Sequence, residues 1–326
     1  MEFSALRPRF ASLGRIFLPL FSPTRPINRK KTSPFCTRTS VEPPTPPERS
    51  TERETARAME IAGEKRVQNV VVMRHGDRID HFEPMWATHA ARPWDPPLTD
   101  GGKIRAWTTG KRLRALGVPI HRVIVSPFLR CLQTATEAVS ALCAVVDDEA
   151  RLLAMETRQD VIIDPSRVKV SIEYGLCEML NTRAIGEEFT PKDGIWFPEV
   201  SKLEALLPAR TIDHSVERIY QEMPHWDESV LDARSRYANI IRALADKYPH
   251  ENLLLVTHGE GVGVSVASFQ KDAEVFEVEY CAFSHLQRHI SFEPSQAPVA
   301  ENLKLLTTSG QTGISFLLQL KMPDGF

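Results

Sequence analysis

An α/β domain with a mostly parallel sheet flanked by helices on both faces is the fold class this chain predicts. Three observations carry that expectation. Short runs rich in Val, Ile and Leu recur at 67–73, 121–127 and 253–256, as in strands buried on both faces. Stretches with helical spacing lie between the runs, the alternation that builds parallel sheets. Each run also breaks into residues suited to binding, namely Arg74-His75-Gly76, Ser126-Pro127 and Thr257-His258-Gly259. In open α/β sheets ligands lie outside the carboxyl ends of the strands.

Residues 1–65 read as a disordered N-terminal extension. Nine of the 24 prolines fall in the first fifty positions among repeated Ser, Thr and Arg, and such a segment cannot bury enough apolar surface to order itself. Positions 1–41 hold eight Lys or Arg against one acid, Glu2. That Arg- and Ser-rich, acid-poor front resembles a transit peptide for a chloroplast or mitochondrion, with the cytoplasm as the alternative location. The charged residues 50–65 are expected to form a helical lead-in.

From 66 to 326 the spacing predicts one domain. After the first strand comes a loop, 80–97, holding His81, Trp86, His89 and Trp94; it is expected to pack on its own aromatics, with a pocket rim as the alternative. Thr99 is the predicted N-cap of the next helix, Ala106, Leu113 and Leu116 its apolar positions and Gly117 its stop. A second strand, 121–127, leads into a helix with Pro127 in its first turn, which puts Arg130 near a helix N-terminus where anions are favoured. A third strand from 168 breaks at Gly175, leaving Glu178 just past its end.

Periodicity weakens over 181–226, which reads as an insertion or cap carrying substrate selectivity. A helix over 228–248 and the strand at 253–256 follow, then a small-residue helix over 263–269. The alternation near the C-terminus predicts antiparallel strands that extend the sheet.

Composition narrows the function classes. Beyond residue 41 the chain holds 32 basic and 41 acidic residues, so it offers no general basic surface for nucleic acid. No apolar run reaches the roughly 18 residues of a membrane span. Cysteines 36, 131, 143, 177 and 281 form no CxxC pair and no metal-ligand spacing, which fits buried thiols in a reducing compartment.

The strand ends define the chemistry. A histidine flanked by Arg74 and Arg78 joins a nucleophile or base to planar forks that bind tetrahedral oxyanions. Taken together, Arg74-His75-Gly76, Ser126-Pro127-x-x-Arg130, Glu178 and Thr257-His258-Gly259, with the Leu98-Thr99 to Gly102 segment, resemble the histidine phosphatase superfamily, also called phosphoglycerate mutase-like. The resemblance spans 67 to about 270.

It implies a catalytic domain that hydrolyses a phosphomonoester without metal or cofactor. His75 becomes phosphohistidine, Glu178 acts as acid and then base, and His258 donates a hydrogen bond to the phosphoryl group. Arg74, Arg78, Arg130 and His258 bind the phosphate, and the substrate is a phosphorylated small molecule or phosphopeptide. Neutral His75 requires a backbone acceptor on one ring nitrogen, and Glu178 must start protonated, with a raised pKa.

This chain departs from the mutases in having Asp77-Arg78-Ile79-Asp80 after RHG where they carry Ser-x-Trp-Asn. It departs from the acid phosphatase branch in following His258 with Gly259 and Glu260 rather than Asp. Glu260 and Glu173 therefore stand as weaker candidates for the proton donor. The alternatives to a phosphatase are a mutase and an inactive binding module.

Overall fold

The computed structural model describes residues 64–294 and 296–319. The N-terminal extension, its transit-like front and Cys36 lie outside the described residues. So does the lead-in, except Glu64 and Lys65, which begin the first strand and are not helical.

β1 (Glu64–Arg74) is the long strand the apolar run at 67–73 predicts. α1 (Asp100–Ala115) begins where Thr99 accepts the Gly102 N–H at 2.9 Å, and the chain leaves it through Gly117 at φ +71°, the left-handed turn glycine tolerates best. β2 (Arg122–Val125), α2 (Leu129–Cys143) and β3 (Lys169–Ile172) follow. α3 (Val230–Lys247) is capped by the Ser229 hydroxyl and leads to β4 (Leu253–Thr257). α4 (Gly259–Ala267) starts four residues earlier than its spacing predicts, immediately after His258. Its glycines hid the first turn, because Gly is a poor helix former wherever packing does not decide.

The sheet runs β3-β2-β4-β1, all parallel. It continues antiparallel into β6 (Phe283–Phe292), which pairs with β1 along ten residues. Two short strands, β7 (Val299–Ala300) and β8 (Lys304–Leu305), close that side. The expected C-terminal extension is thus half right. β5 (Ala273–Val278) and β9 (Ile314–Leu318) pair with each other in a separate two-stranded sheet.

Alternation along the strands divides the core in two. Val71, Met73, Val123, Val125, Leu254 and Val256 pack under α1 and α2. Val70, Val72, Ile124, Leu253 and Leu255 pack under α3 and α4, against Ile240, Ile241, Leu244, Val262 and Val266. Each side chain points to the face opposite its neighbour's, so helices must cover both faces. Leu116, placed on the apolar stripe by spacing, is half exposed.

Residues 181–226 carry only a 3-10 turn at Glu187–Phe189 and a short helix at Val200–Glu204. They pack on the α1/α2 side through Leu203, Leu207, Trp196 and Phe197. Ile212 bridges Val170 of β3, covering the edge that strand would otherwise expose.

Candidate active site

Strand register brings the predicted residues together. Arg74 of β1 lies opposite Thr257 of β4, so His75 and His258 leave the sheet side by side. The His75 N–H donates to the Thr257 carbonyl at 3.0 Å, and the Ser126 N–H to the Val256 carbonyl at 3.0 Å. One nitrogen of His75, one of His258 and a carboxylate oxygen of Glu178 lie within 4.8 Å of one another.

His75 is almost wholly buried. Its Nδ1 stands 2.8 Å from the Gly76 carbonyl; a carbonyl only accepts, so Nδ1 carries the proton and Nε2 keeps its lone pair. Burial, with Arg130, His258 and Arg74 nearby, holds the ring well below its usual pKa. It is neutral at physiological pH, as a nucleophile must be.

The turn that presents His75 is fixed from two sides. The Gly76 N–H donates to Thr134 Oγ1 on α2 at 2.9 Å. On the other side Gly76 packs against the first turn of α1. A Cβ on Gly76 would meet the Gly102 carbonyl oxygen at 2.7 Å, and one on Gly102 would meet the Asp77 oxygen at 2.6 Å. Both positions need glycine because two backbones touch there, which is the physical content of the Leu98-Thr99 to Gly102 pattern.

Arg130 is 1% exposed and lies over the Phe128 ring at 4.3 Å. Its Nη2 donates to Glu178 Oε2 at 3.1 Å. Its Nε and Nη1 are buried without a partner among the described residues, as is Arg74 Nε. Leaving a buried donor unpaired costs about 1–3 kcal/mol, more for a charged group. These unpartnered donors belong to the two arginines whose charges act on His75, and an oxyanion beside that ring would give them acceptors. Arg78 differs: Asp80, two residues on, takes its fork, with Nε to Oδ1 at 2.9 Å.

Glu178 is carried past β3 on a 3-10 turn, Tyr174–Leu176. That segment is held from α3, where the Tyr237 hydroxyl donates to the Cys177 carbonyl at 2.5 Å and Arg236 Nη1 donates to the Gly175 and Cys177 carbonyls at 2.8 and 3.0 Å. Burial would raise the Glu178 carboxyl, but His258 and Arg130 outweigh it and hold it well below the usual carboxylate range. The expected raised pKa is therefore corrected for the protein alone. His258 and Arg130 are the reason, since His258 Nδ1 and the Arg130 guanidinium both sit directly on the carboxylate.

His258 Nδ1 is 3.0 Å from Glu178 Oε2, and its Nε2 is 2.8 Å from Ser126 Oγ. An ionised carboxylate only accepts, so Nδ1 carries the proton and the Ser126 hydroxyl donates to Nε2. Burial lowers this ring to about 4, and it is neutral too. The three donors are also spaced as metal ligands would be. The guanidiniums of Arg74 and Arg130 and the spent Nδ1 of His75 make the hollow a site for an anion rather than a cation.

Comparison with known proteins agrees with this chemistry. The family model described as histidine phosphatase superfamily (branch 1) matches residues 70–157. Over those residues the chain is similar to the histidine phosphatase superfamily. A curated relative, the mitochondrial serine/threonine-protein phosphatase Pgam5 of Drosophila mojavensis, is 35% identical over 71 residues. The matched stretch spans 22% of this chain and 22% of that relative. Among solved structures, the ecdysone phosphate phosphatase of Bombix mori, in complex with tungstate, aligns at TM-score 0.48 and 23% identity, covering 67% of this chain and 88% of its own. Phosphoglycerate mutase from Bacillus anthracis aligns at TM-score 0.42 and 15% identity, covering 74% and 94%.

The superfamily match takes in Arg74, His75, Arg78 and Arg130; Glu178 and His258 lie beyond it, and the fold brings them to the same hollow. Neither weaker proton-donor candidate reaches it in a usable form. Glu173 accepts the Gly175, Ile219 and Tyr220 N–H groups, so it holds backbone. Glu260 pairs with Arg234.

Two residues beside this candidate site were missed from sequence. Tyr280 lies 5.7 Å from the His75 ring and 4.2 Å from the Arg74 guanidinium carbon. Asp95 is buried and accepts the Leu129 N–H at 2.7 Å, capping the helix that carries Arg130. The loop 80–97 is also corrected. Trp94 donates to the Trp196 carbonyl at 2.9 Å, so it packs on residues of 181–226 rather than on its own aromatics, and His81 reaches Tyr280.

Proposed function

We propose that the chain is a metal-independent phosphatase that hydrolyses a phosphomonoester through a phosphohistidine at His75. The observation that carries the proposal is the set of buried, unpartnered N–H groups of Arg74 and Arg130 around a neutral His75 whose Nδ1 is spent on Gly76. Phosphoryl transfer asks a protein chiefly to position groups and to neutralise charge on the equatorial oxygens.

In the first step the Nε2 lone pair of His75 forms the N–P bond as the P–O bond to the leaving group breaks. That oxygen takes a proton from Glu178. In the second step water attacks phosphorus, Glu178 takes its proton, the N–P bond breaks and phosphate departs. Arg74 and Arg130 hold the phosphoryl oxygens, Arg78 adds positive charge from its fork with Asp80, and His258 Nδ1–H donates to a phosphoryl oxygen. A phosphate dianion drawing on Arg130 and His258 weakens the two groups that keep Glu178 ionised and adds negative charge beside it. Both changes raise its pKa toward that of a general acid.

Phosphorylated small molecules and phosphopeptides are the substrate classes, with selectivity assigned to 80–97 and the cap at 181–226. The mitochondrial name of the Drosophila relative agrees with reading residues 1–65 as a transit extension.

The test is turnover of p-nitrophenyl phosphate with an alkaline quench and mass spectrometry for phosphohistidine. The modification is expected on His75, with His75→Ala inactive and chelators without effect. Turnover that survives His75→Ala would overturn the proposal. Formation of a phosphorylated isomer instead of free phosphate would make the protein a mutase, and phosphate binding without turnover would make it a binding module.

A further inference from the structure

Arg74 is the least supported of the oxyanion donors within its own strand. Its Nη1 donates to the Val278 carbonyl, and no carboxylate pairs with it among the described residues. Among the described residues nothing else polar fixes its plane, and its Nε has no partner. The guanidinium lies instead on an aromatic face, with its Cζ 4.2 Å from the centroid of Tyr280.

Tyr280 reaches that place because β6 runs back along β1. The Arg74 N–H donates to the Ala282 carbonyl at 2.9 Å and the Cys281 N–H to the His75 carbonyl at 3.2 Å. Cys281 takes a positive φ of 58°, an uncommon conformation for a residue with a side chain. That kink sits between the strand and the tyrosine. The ring is half-buried, tilted 47° to His75 at 5.7 Å, and its hydroxyl is 2.5 Å from His81 Nδ1. His81 ends the 3-10 turn Ile79–His81, directly after the Arg78–Asp80 pair.

We propose that Tyr280 is a positioning residue for the phosphoryl clamp: its ring holds the Arg74 guanidinium flat against the hollow, and its hydroxyl, bonded to His81, fastens the turn that follows Arg78. The proposal rests on the phosphate-binding hollow of the preceding section. It assigns two separate tasks to one side chain, and the tasks can be removed one at a time. A planar cation on an aromatic face keeps its orientation without spending an N–H. A hydrogen-bonded latch does spend its donor, and it acts on the turn rather than on the arginine.

The experiment measures inorganic phosphate binding by calorimetry, and kcat and KM for p-nitrophenyl phosphate, on the whole chain. Tyr280→Phe keeps the ring and is expected to bind phosphate within about twofold of the unaltered protein. Tyr280→Met and Tyr280→Leu fill the space without a π face and are expected to weaken phosphate about tenfold, the scale of a partly desolvated cation–π contact. They should lower kcat/KM alongside. Thermal unfolding of each variant separates a loosened site from a lost fold, and His81→Ala should match Tyr280→Phe because both remove only the latch.

If the Met and Leu variants bind phosphate like the unaltered protein, or if Tyr280→Phe is as weak as they are, the ring has no positioning role. An unaltered protein that binds no phosphate would instead bring down the hollow itself, and this inference with it.

Discussion

Replacing Glu178 with Gln tests the proton-transfer role and the electrostatics of the hollow together. Gln keeps the shape and one acceptor for Arg130, whose Nη2 stands 3.1 Å from Oε2, but it carries no proton to give. General acid catalysis is worth about 10²–10⁴-fold, or about 3–5 kcal/mol of barrier. The loss should fall on alkyl phosphates, whose leaving oxygen needs the proton. With p-nitrophenyl phosphate, whose leaving group departs as an anion, roughly tenfold or less is expected. The same variant removes a negative charge lying within 4.8 Å of a His75 ring nitrogen. At an effective dielectric near 20, a unit charge at about that distance is worth about 3 kcal/mol against an incoming anion. Inorganic phosphate should therefore inhibit Glu178→Gln more tightly than the unaltered protein, by at least about tenfold. Parallel kinetics on the two esters with phosphate as inhibitor give both readouts. Equal losses on good and poor leaving groups would remove Glu178 from the acid role, and weaker phosphate inhibition would refute the charge argument.

Two further expectations follow from packing and linkage. Gly102→Ala would drive a Cβ to 2.6 Å from the Asp77 carbonyl oxygen and 2.8 Å from its nitrogen. Pushing α1 off the His75 turn should cost about 1–3 kcal/mol of stability and most of the activity; denaturant melts and turnover check it, and an active, equally stable variant counts against the packing account. Acidification should also destabilise the fold. His75 and His258 are held below their ordinary pKa by burial, so from pH 7 to 5 the unfolded chain binds protons that the folded chain refuses. Stability is full above about 6.5 and is lost as pH falls; His258 alone, at about 4, accounts for about 2 kcal/mol by pH 5. Thermal midpoints at the two pH values should differ, and differ less in His258→Gln; identical shifts in both proteins would exclude the His258 contribution.

The strand ends were legible because a buried parallel strand stops abruptly in sequence, and the residue after the stop must face the ligand edge. Arg74, His75 and His258 were placed at that edge this way, with Arg130 one turn into the next helix. Helix caps at Thr99 and Gly117 were readable for local reasons: each acts through its own hydrogen bond or its own φ. Tyr280 was not legible, since it reaches Arg74 through the long antiparallel pairing of β6 with β1 and sits in a stretch that reads only as alternating strand. Asp95 was hidden likewise, acting on Leu129 across 34 residues. The charge state of Glu178 was misread because its sign depends on His258 and Arg130 lying against it, contacts that no spacing announces. Arg78 was visible as a cation, but its fork is taken by Asp80, which the sequence displayed two positions away without saying which partner would win.

The placement of β4 between β1 and β2 has a bearing on how the molecule comes into being. The first three parallel strands made by a ribosome leave a gap, and the piece that fills it starts only at Leu253. Until then β1 and β2 lack a common neighbour, each offering a bare ladder of amide and carbonyl groups of the kind that recruits foreign strands. A product cut short before that point should be prone to aggregate, however much of the matched segment it contains.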